Sequence, residues 1–317
     1  MNDKIIISSD NIDKHGDLMS KEALESGAKT INGEKCVKWT IEHKRDIPPL
    51  GKIIDGEVIE KNGHYFLTAR TIKYDSYEEV LWDNNLVKAS FTTNKKPFNE
   101  PVLDTLEKLK IEVDPNNFRS YESFLEYKLS LKKINPEIDT GEYLRKALIN
   151  DPEIILYLTG DYLLYRLIKP TLDKTAEKIS ERISDKLANE ADIFYEFIRR
   201  SIKELFFRLK STSRPISYVI KVPGKPEIEL FARIRDSEEL IKSLKPSKIE
   251  NIKNEIFDLA KHFEIDKAQF ILYKGKWKFN YLLTSQGDAI GTKFSFKKRD
   301  RMLEIVNEKA MGKGKLD

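Results

Sequence analysis

At 317 residues the chain has room for two or three modules of ordinary domain size. Its 56 Lys and Arg against 52 Asp and Glu leave a net charge of only +4, and the 40% hydrophobic and 34% charged residues are those of a soluble globular protein. That balance argues against a dedicated nucleic-acid binder, and the single cysteine, Cys36, excludes an intrachain disulfide and a cysteine zinc cluster.

The first segment, MNDKIIISSD, lacks a basic region followed by an apolar run, so no signal peptide is expected, and a reducing cytoplasm is the expected home. Strands are predicted at 4–9, 37–42, 51–60, 64–72 and 86–93. Short helices are predicted at 20–27, with Ser20 as cap, and at 76–84. Asn62-Gly63 supplies a two-residue turn for a hairpin over 53–72, because both residues tolerate positive φ. Between 94 and 152 five prolines interrupt short helical runs such as 121–132, which reads as a connector.

The most apolar stretch, 154–168, is too short to span a membrane and is broken by Gly160, Asp161 and Arg166. Apolar residues then recur at spacings of three and four from Leu172 to Leu209, predicting one long amphipathic helix or two in succession over 171–210. Its stripe needs a partner surface, either elsewhere in the chain or on another copy. Strands follow at 216–222 and 227–234, then a helix at 248–263 with Ser247 and Glu250 in capping-box spacing. Strands at 268–273, 277–284 and 289–296 complete the chain. In the strand at 277–284, Trp277, Phe279, Tyr281 and Leu283 alternate as one face of a core.

The fold class expected is α+β. A small β-barrel-like domain occupies 1–100, a helical connector with long amphipathic helices 101–211, and an α+β domain with an antiparallel sheet 212–317. The local basic excess at Lys293, Lys297, Lys298, Arg299 and Arg301 reads as a solvated helix start.

Four histidines leave few imidazole bases: His15, His43, His64 and His262. His43 ends a strand and precedes a loop stiffened by Pro48 and Pro49. Ser90 lies in Leu86-Val87-Lys88-Ala89-Ser90-Phe91, where alternation puts it opposite the apolar face. Taken singly, His43 reads as structural and Ser90 as an ordinary strand serine.

Order and context alter that reading. Asp13-Lys14-His15-Gly16-Asp17, then Glu42-His43 followed by Pro49-Leu50-Gly51, then a hairpin, then Tyr77 to Phe91 ending in Ser90, resembles the prohead (capsid maturation) serine protease superfamily of tailed phages. The resemblance is to its prophage-type branch, which is similar in fold to the herpesvirus assemblins, and covers about 90 residues. It implies Ser90 as nucleophile, His43 as its base, and a short helix directly before the serine strand. Substrates would be protein segments such as phage scaffold or capsid chains, or the chain itself, with no cofactor. Glycine usually follows the family's serine closely, whereas Phe91-Thr92-Thr93 stand here.

A third, orienting acid would come from Asp104, Glu107, Glu112 or Asp114. Glu112 is favoured because 110–113 is the nearest strand-like stretch. The Asp13 to Asp17 turn reads as a capped turn rather than a metal site. The competing account is a catalytically inactive protease-like binding or assembly module, or a phage-defence component, whose C-terminal domain binds the partner. Self-association through the 171–210 helices belongs to either account.

Overall fold

The structure is a computed structural model, and it describes residues 4–11, 18–74, 76–82, 85–99, 108–143, 152–159, 184–209 and 215–313. The fold is mixed α+β, and its compact units cut the chain elsewhere than the three-part reading does. Unit 1 combines residues 1–101 with 281–317, and unit 2 spans 102–280. The described residues from Tyr281 onward thus return to the N-terminal unit, in part by strand pairing that no local pattern announces.

In unit 1, β1 (Lys4–Ser9), β2 (Val37–Trp39), β3 (Gly51–Lys61) and β4 (His64–Lys73) form an antiparallel sheet in the order β1-β4-β3-β2. Asn62 and Gly63 both adopt positive φ, 55° and 77°, as a two-residue hairpin turn requires. Helix α1 (Lys21–Ile31) starts where the Ser20 hydroxyl accepts a hydrogen bond from Ala23 N. It covers the sheet by burying Leu24 and Ile31 against Leu67 and Ala69.

The segment expected as a helix at 76–84 is a strand instead, β5 (Ser76–Trp82), paired antiparallel with β6 (Asn85–Phe91). Seven residues satisfy both periodicities, and pairing of Val80 with Val87 and Tyr77 with Ser90 selects the strand. The second half of β13 (Lys276–Thr284) and β14 (Ala289–Thr292) extend this ladder in the order β5-β6-β14-β13. The last expected strand, 289–296, stops at Thr292. There the Thr292 hydroxyl accepts from Ser295 N and opens helix α6 (Lys293–Lys313).

Unit 2 is a sheet in the order β8-β7-β9-β10-β11-β12-β13. Its strands are β7 (Lys110–Val113), β8 (Asp139–Glu142), β9 (Glu153–Tyr157), β10 (Ile216–Val222), β11 (Glu227–Ile234), β12 (Ile265–Tyr273) and the first half of β13. The expected antiparallel sheet is in fact mixed: β7 and β8, β9 and β10, and β11 and β12 run parallel. Helices α4 (Ser237–Ser243) and α5 (Pro246–Ala260) connect β11 to β12, a crossover long enough to return the chain in the same direction. Helix α5 opens on Lys245 with Pro246 in its first turn, not on the expected Ser247 capping box.

Helices α2 (Tyr121–Ile134) and α3 (Ser184–Arg208) also belong to unit 2. Tyr127 of α2 donates its hydroxyl to Ser201 O of α3 at 3.4 Å. The stretch 171–183 lies outside the described residues. Tyr218, Ile220, Leu230, Phe270 and Trp277 occupy one face of the sheet, and Trp277 reaches Ser243 O of α4 through its indole N–H at 2.9 Å. Among the described residues no helix is long and apolar enough to cross a membrane.

Candidate active site

His43 sits in a loop whose ends are pinned by a hydrogen bond from Leu50 N to Trp39 O at 2.8 Å. Glu42 and His43 both hold positive φ, 50° and 52°, which is strained for residues with a Cβ. Buried Ile41, Ile47 and Leu50 hold the loop down, packed against Met302, Leu303 and Val306 of α6. Lys298 pairs with the buried Asp46 carboxylate, and the Arg299 guanidinium donates to Pro49 O at 3.2 Å while lying 4.8 Å from the centre of the Phe296 ring. Lys293 pairs with Glu79 at 2.8 Å. Three members of the basic cluster therefore have intramolecular work, and Arg299 is buried rather than solvated.

Ser90 belongs to a row across four strands, Tyr77–Ser90–Ala289–Leu283. The next row on the same face is Lys88–Gly291–Tyr281. Ala289, Leu283 and Tyr281 join Tyr74 and Phe98 in one apolar cluster, and Lys88 Nζ lies 4.1 Å from the Tyr77 ring centre and 5.4 Å from that of Phe296. The Tyr281 hydroxyl donates to Arg45 O at 3.1 Å, which brings the His43 loop to Ser90's side of the sheet.

The two residues nevertheless differ in setting. His43 is exposed, whereas Ser90 is 0% exposed and its Oγ has no hydrogen-bond partner, so no hydrogen bond joins the pair. Glu112 lies in unit 2, where Lys110 Nζ and the Tyr157 hydroxyl each contact one of its carboxylate oxygens at 2.7 Å. Asp114 is buried and caps a short 3-10 turn by accepting from Asn116 N. Asp104, Glu107 and the Asp13 to Asp17 turn lie outside the described residues.

Sequence reasoning missed two buried polar groupings. In unit 1, Lys52 is fully buried, with its ammonium donating to the carbonyls of Asn94, Lys96 and Gln286, and burial pulls its pKa down. Gly287, at φ 73°, makes room for it: a Cβ there would lie 2.3 Å from Lys52 Nζ and 2.2 Å from Lys96 O. In unit 2, a charged row crosses β10, β11 and β12 on the face opposite Tyr218. Lys267 Nζ and Gln269 Nε2 donate to the two Glu229 oxygens at 2.7 and 2.5 Å, and Asn280 Nδ2 donates to Gln269 Oε1 at 2.6 Å.

Lys221 completes that row, 3.2 Å from Glu227 Oε1 and 3.9 Å from Glu229 Oε2, while its Nζ lies 5.6 Å from the ring centre of Tyr157, the residue bonded to Glu112. Lys221, Glu227, Glu229, Lys267, Gln269 and Asn280 are all buried. The available signal was charge at alternate positions of otherwise apolar strands, Glu227-Ile228-Glu229 and Lys267-Ala268-Gln269. Among the described residues no group of three or more His, Cys, Asp or Glu is placed to hold a metal ion. No protein-family profile, no curated protein and no solved structure matches this chain.

Proposed function

We propose that the chain is a protein-binding or assembly module built on a peptidase-like N-terminal domain, small and barrel-like, in which Ser90 and His43 do not work as nucleophile and base. The observation that carries this reading is the buried Ser90 hydroxyl without a hydrogen-bond partner. A serine becomes nucleophilic only when a base within hydrogen-bond reach takes its proton, and a peptide carbonyl must be able to approach it. Phe91-Thr92-Thr93 in place of a glycine after the serine, and a strand in place of a helix before it, agree with a frame that has drifted from catalysis. The resemblance supplies the partner class, which is protein chains of a phage or prophage particle, or of a defence system directed against one.

The serine peptidase itself is the second reading. The Tyr281 to Arg45 bond favours it, because it draws the His43 loop over the face that carries Ser90. An active-site serine fluorophosphonate and intact-mass measurement on wild type, Ser90→Ala and His43→Ala decide between the two. No adduct and no self-cleavage in the folded wild type is the expected result. An adduct that disappears in both variants overturns the module reading and installs the peptidase.

A further inference from the structure

We propose that the exposed face of α3 docks a second copy of this chain, with the two α3 helices antiparallel. The inference rests on the assembly reading above and names its first partner. Ile193, Glu196, Arg200, Lys203 and Phe207 follow one another at spacings of three, four, three and four, which places them in a single stripe. The stripe faces outward: all five are exposed, and Ile193 and Phe207 are each 73% exposed. The helix has already buried its other side through Phe194, Phe197, Ile198, Ile202 and Leu205, so the outer stripe is not needed to hold unit 2 together. Beside it, Ile134 and Pro136 at the end of α2 help to line a groove of about 530 Å³ with Asp192, Ile193 and Arg200.

Charge selects the occupant. The acids come first, Glu196 in the stripe and the exposed Asp192 beside it one turn earlier, and the bases Arg200 and Lys203 follow. Asp192, Arg200 and Lys203 have no ion pair or hydrogen bond among the described residues, while Glu196 is held at 2.6 Å by Arg199 of its own helix. The helix dipole does not account for this division, because its influence is confined to the terminal turns and the four charges lie in the interior of a 25-residue helix. An antiparallel copy centred near residue 198 sets Glu196 against the copy's Arg200 at both symmetry-related positions. Ile193 then lies along the aliphatic stem of the copy's Lys203. A parallel copy would set like on like.

Sedimentation of the full chain over a range of concentrations tests this, with Asp192→Lys/Glu196→Lys making the stripe wholly basic and Arg200→Glu/Lys203→Glu making it wholly acidic. The wild type is expected to dimerise, more weakly as salt rises. Each variant alone is expected to dimerise at least about tenfold more weakly, and an equimolar mixture to recover the dimer. All four positions are exposed, so each variant is expected to fold, and circular dichroism of each is the check. A wild type that stays monomeric, or a dimer untouched by both reversals, overturns the inference. A fluorophosphonate adduct on Ser90 would instead sink the module reading without altering the oligomeric state.

Discussion

The Ser90 face of unit 1 and the charged row of unit 2 are both buried polar surfaces of a sheet, and they are satisfied in opposite ways. In unit 2 each charge meets its opposite and the amides extend the row: Lys267 and Gln269 on Glu229, Asn280 on Gln269, and Lys221 beside Glu227, whose Oε1 has that ion pair but no hydrogen bond. In unit 1 the hydroxyl that the sequence singles out is left without any partner, among apolar neighbours. A buried charge network has to be complete to be tolerated, because one missing member strands another in low dielectric. A buried neutral hydroxyl costs far less, and a chain can carry one as the remnant of a site. Polar burial alone therefore does not mark chemistry.

The largest effect that would break the comparison lies in unit 2. Glu229→Ala leaves two buried ammonium groups without their shared carboxylate and is expected to cost about 3–5 kcal/mol. The loss is read as a lowered urea midpoint and lost hydrogen-exchange protection in β10 to β12. An unchanged midpoint would mean that the row is hydrated. Next, Lys298→Ala removes an ion-pair partner of the buried Asp46 carboxylate under the His43 loop, at a cost of about 1–3 kcal/mol. Exchange protection should fall across 41–50 and in the first turns of α6, while β10 to β12 keep theirs.

Ser90→Ala should act in the opposite direction, stabilising unit 1 by about 1 kcal/mol because it removes a desolvated hydroxyl that bonds nothing. A destabilised variant would reveal a hydrogen bond at Ser90 and sharpen the case for the peptidase. The smallest effect is on pH dependence. Burial raises the pKa of Tyr127 and of Tyr218 above the ordinary tyrosine value of 10.0. Above that value the unfolded phenols ionise while the folded ones stay neutral, so unit 2 loses stability as pH rises from there toward the folded pKa values. Tyr218→Phe is expected to flatten that loss in alkaline unfolding.

What the sequence made legible was local. The Ser20 cap, the Asn62-Gly63 turn and the buried stripe of α3 each rest on chemistry within a few residues, and each is present. Strand β5 was misread because Tyr77 to Trp82 fits two periods, and only its pairing with β6 decides. The parallel neighbours β11 and β12 depend on a crossover whose direction no strand pattern encodes. Helix α6 follows its strand directly, and its packing against Ile41, Ile47 and Leu50 joins positions some 250 residues apart. For the site, residue types and chain order suggested Ser90 and His43, and Tyr281 does bring their segments to one side of the sheet. The burial of Ser90 depends on its cross-strand partner Ala289, which packs with Tyr74 and Phe98 and which no motif included.

The most direct test of the proposal that Ser90 is closed and non-catalytic is a thiol in its place. Cys36 is buried and its pKa is raised by burial, so Ser90→Cys in a Cys36→Ala background reports on position 90 alone. A chromogenic disulfide reagent is expected to find no reactive thiol in the native protein and one after denaturation. A native-state reaction near the rate of a free thiol, slowed when His43 is also replaced by alanine, would show an open site with a working base and contradict the account.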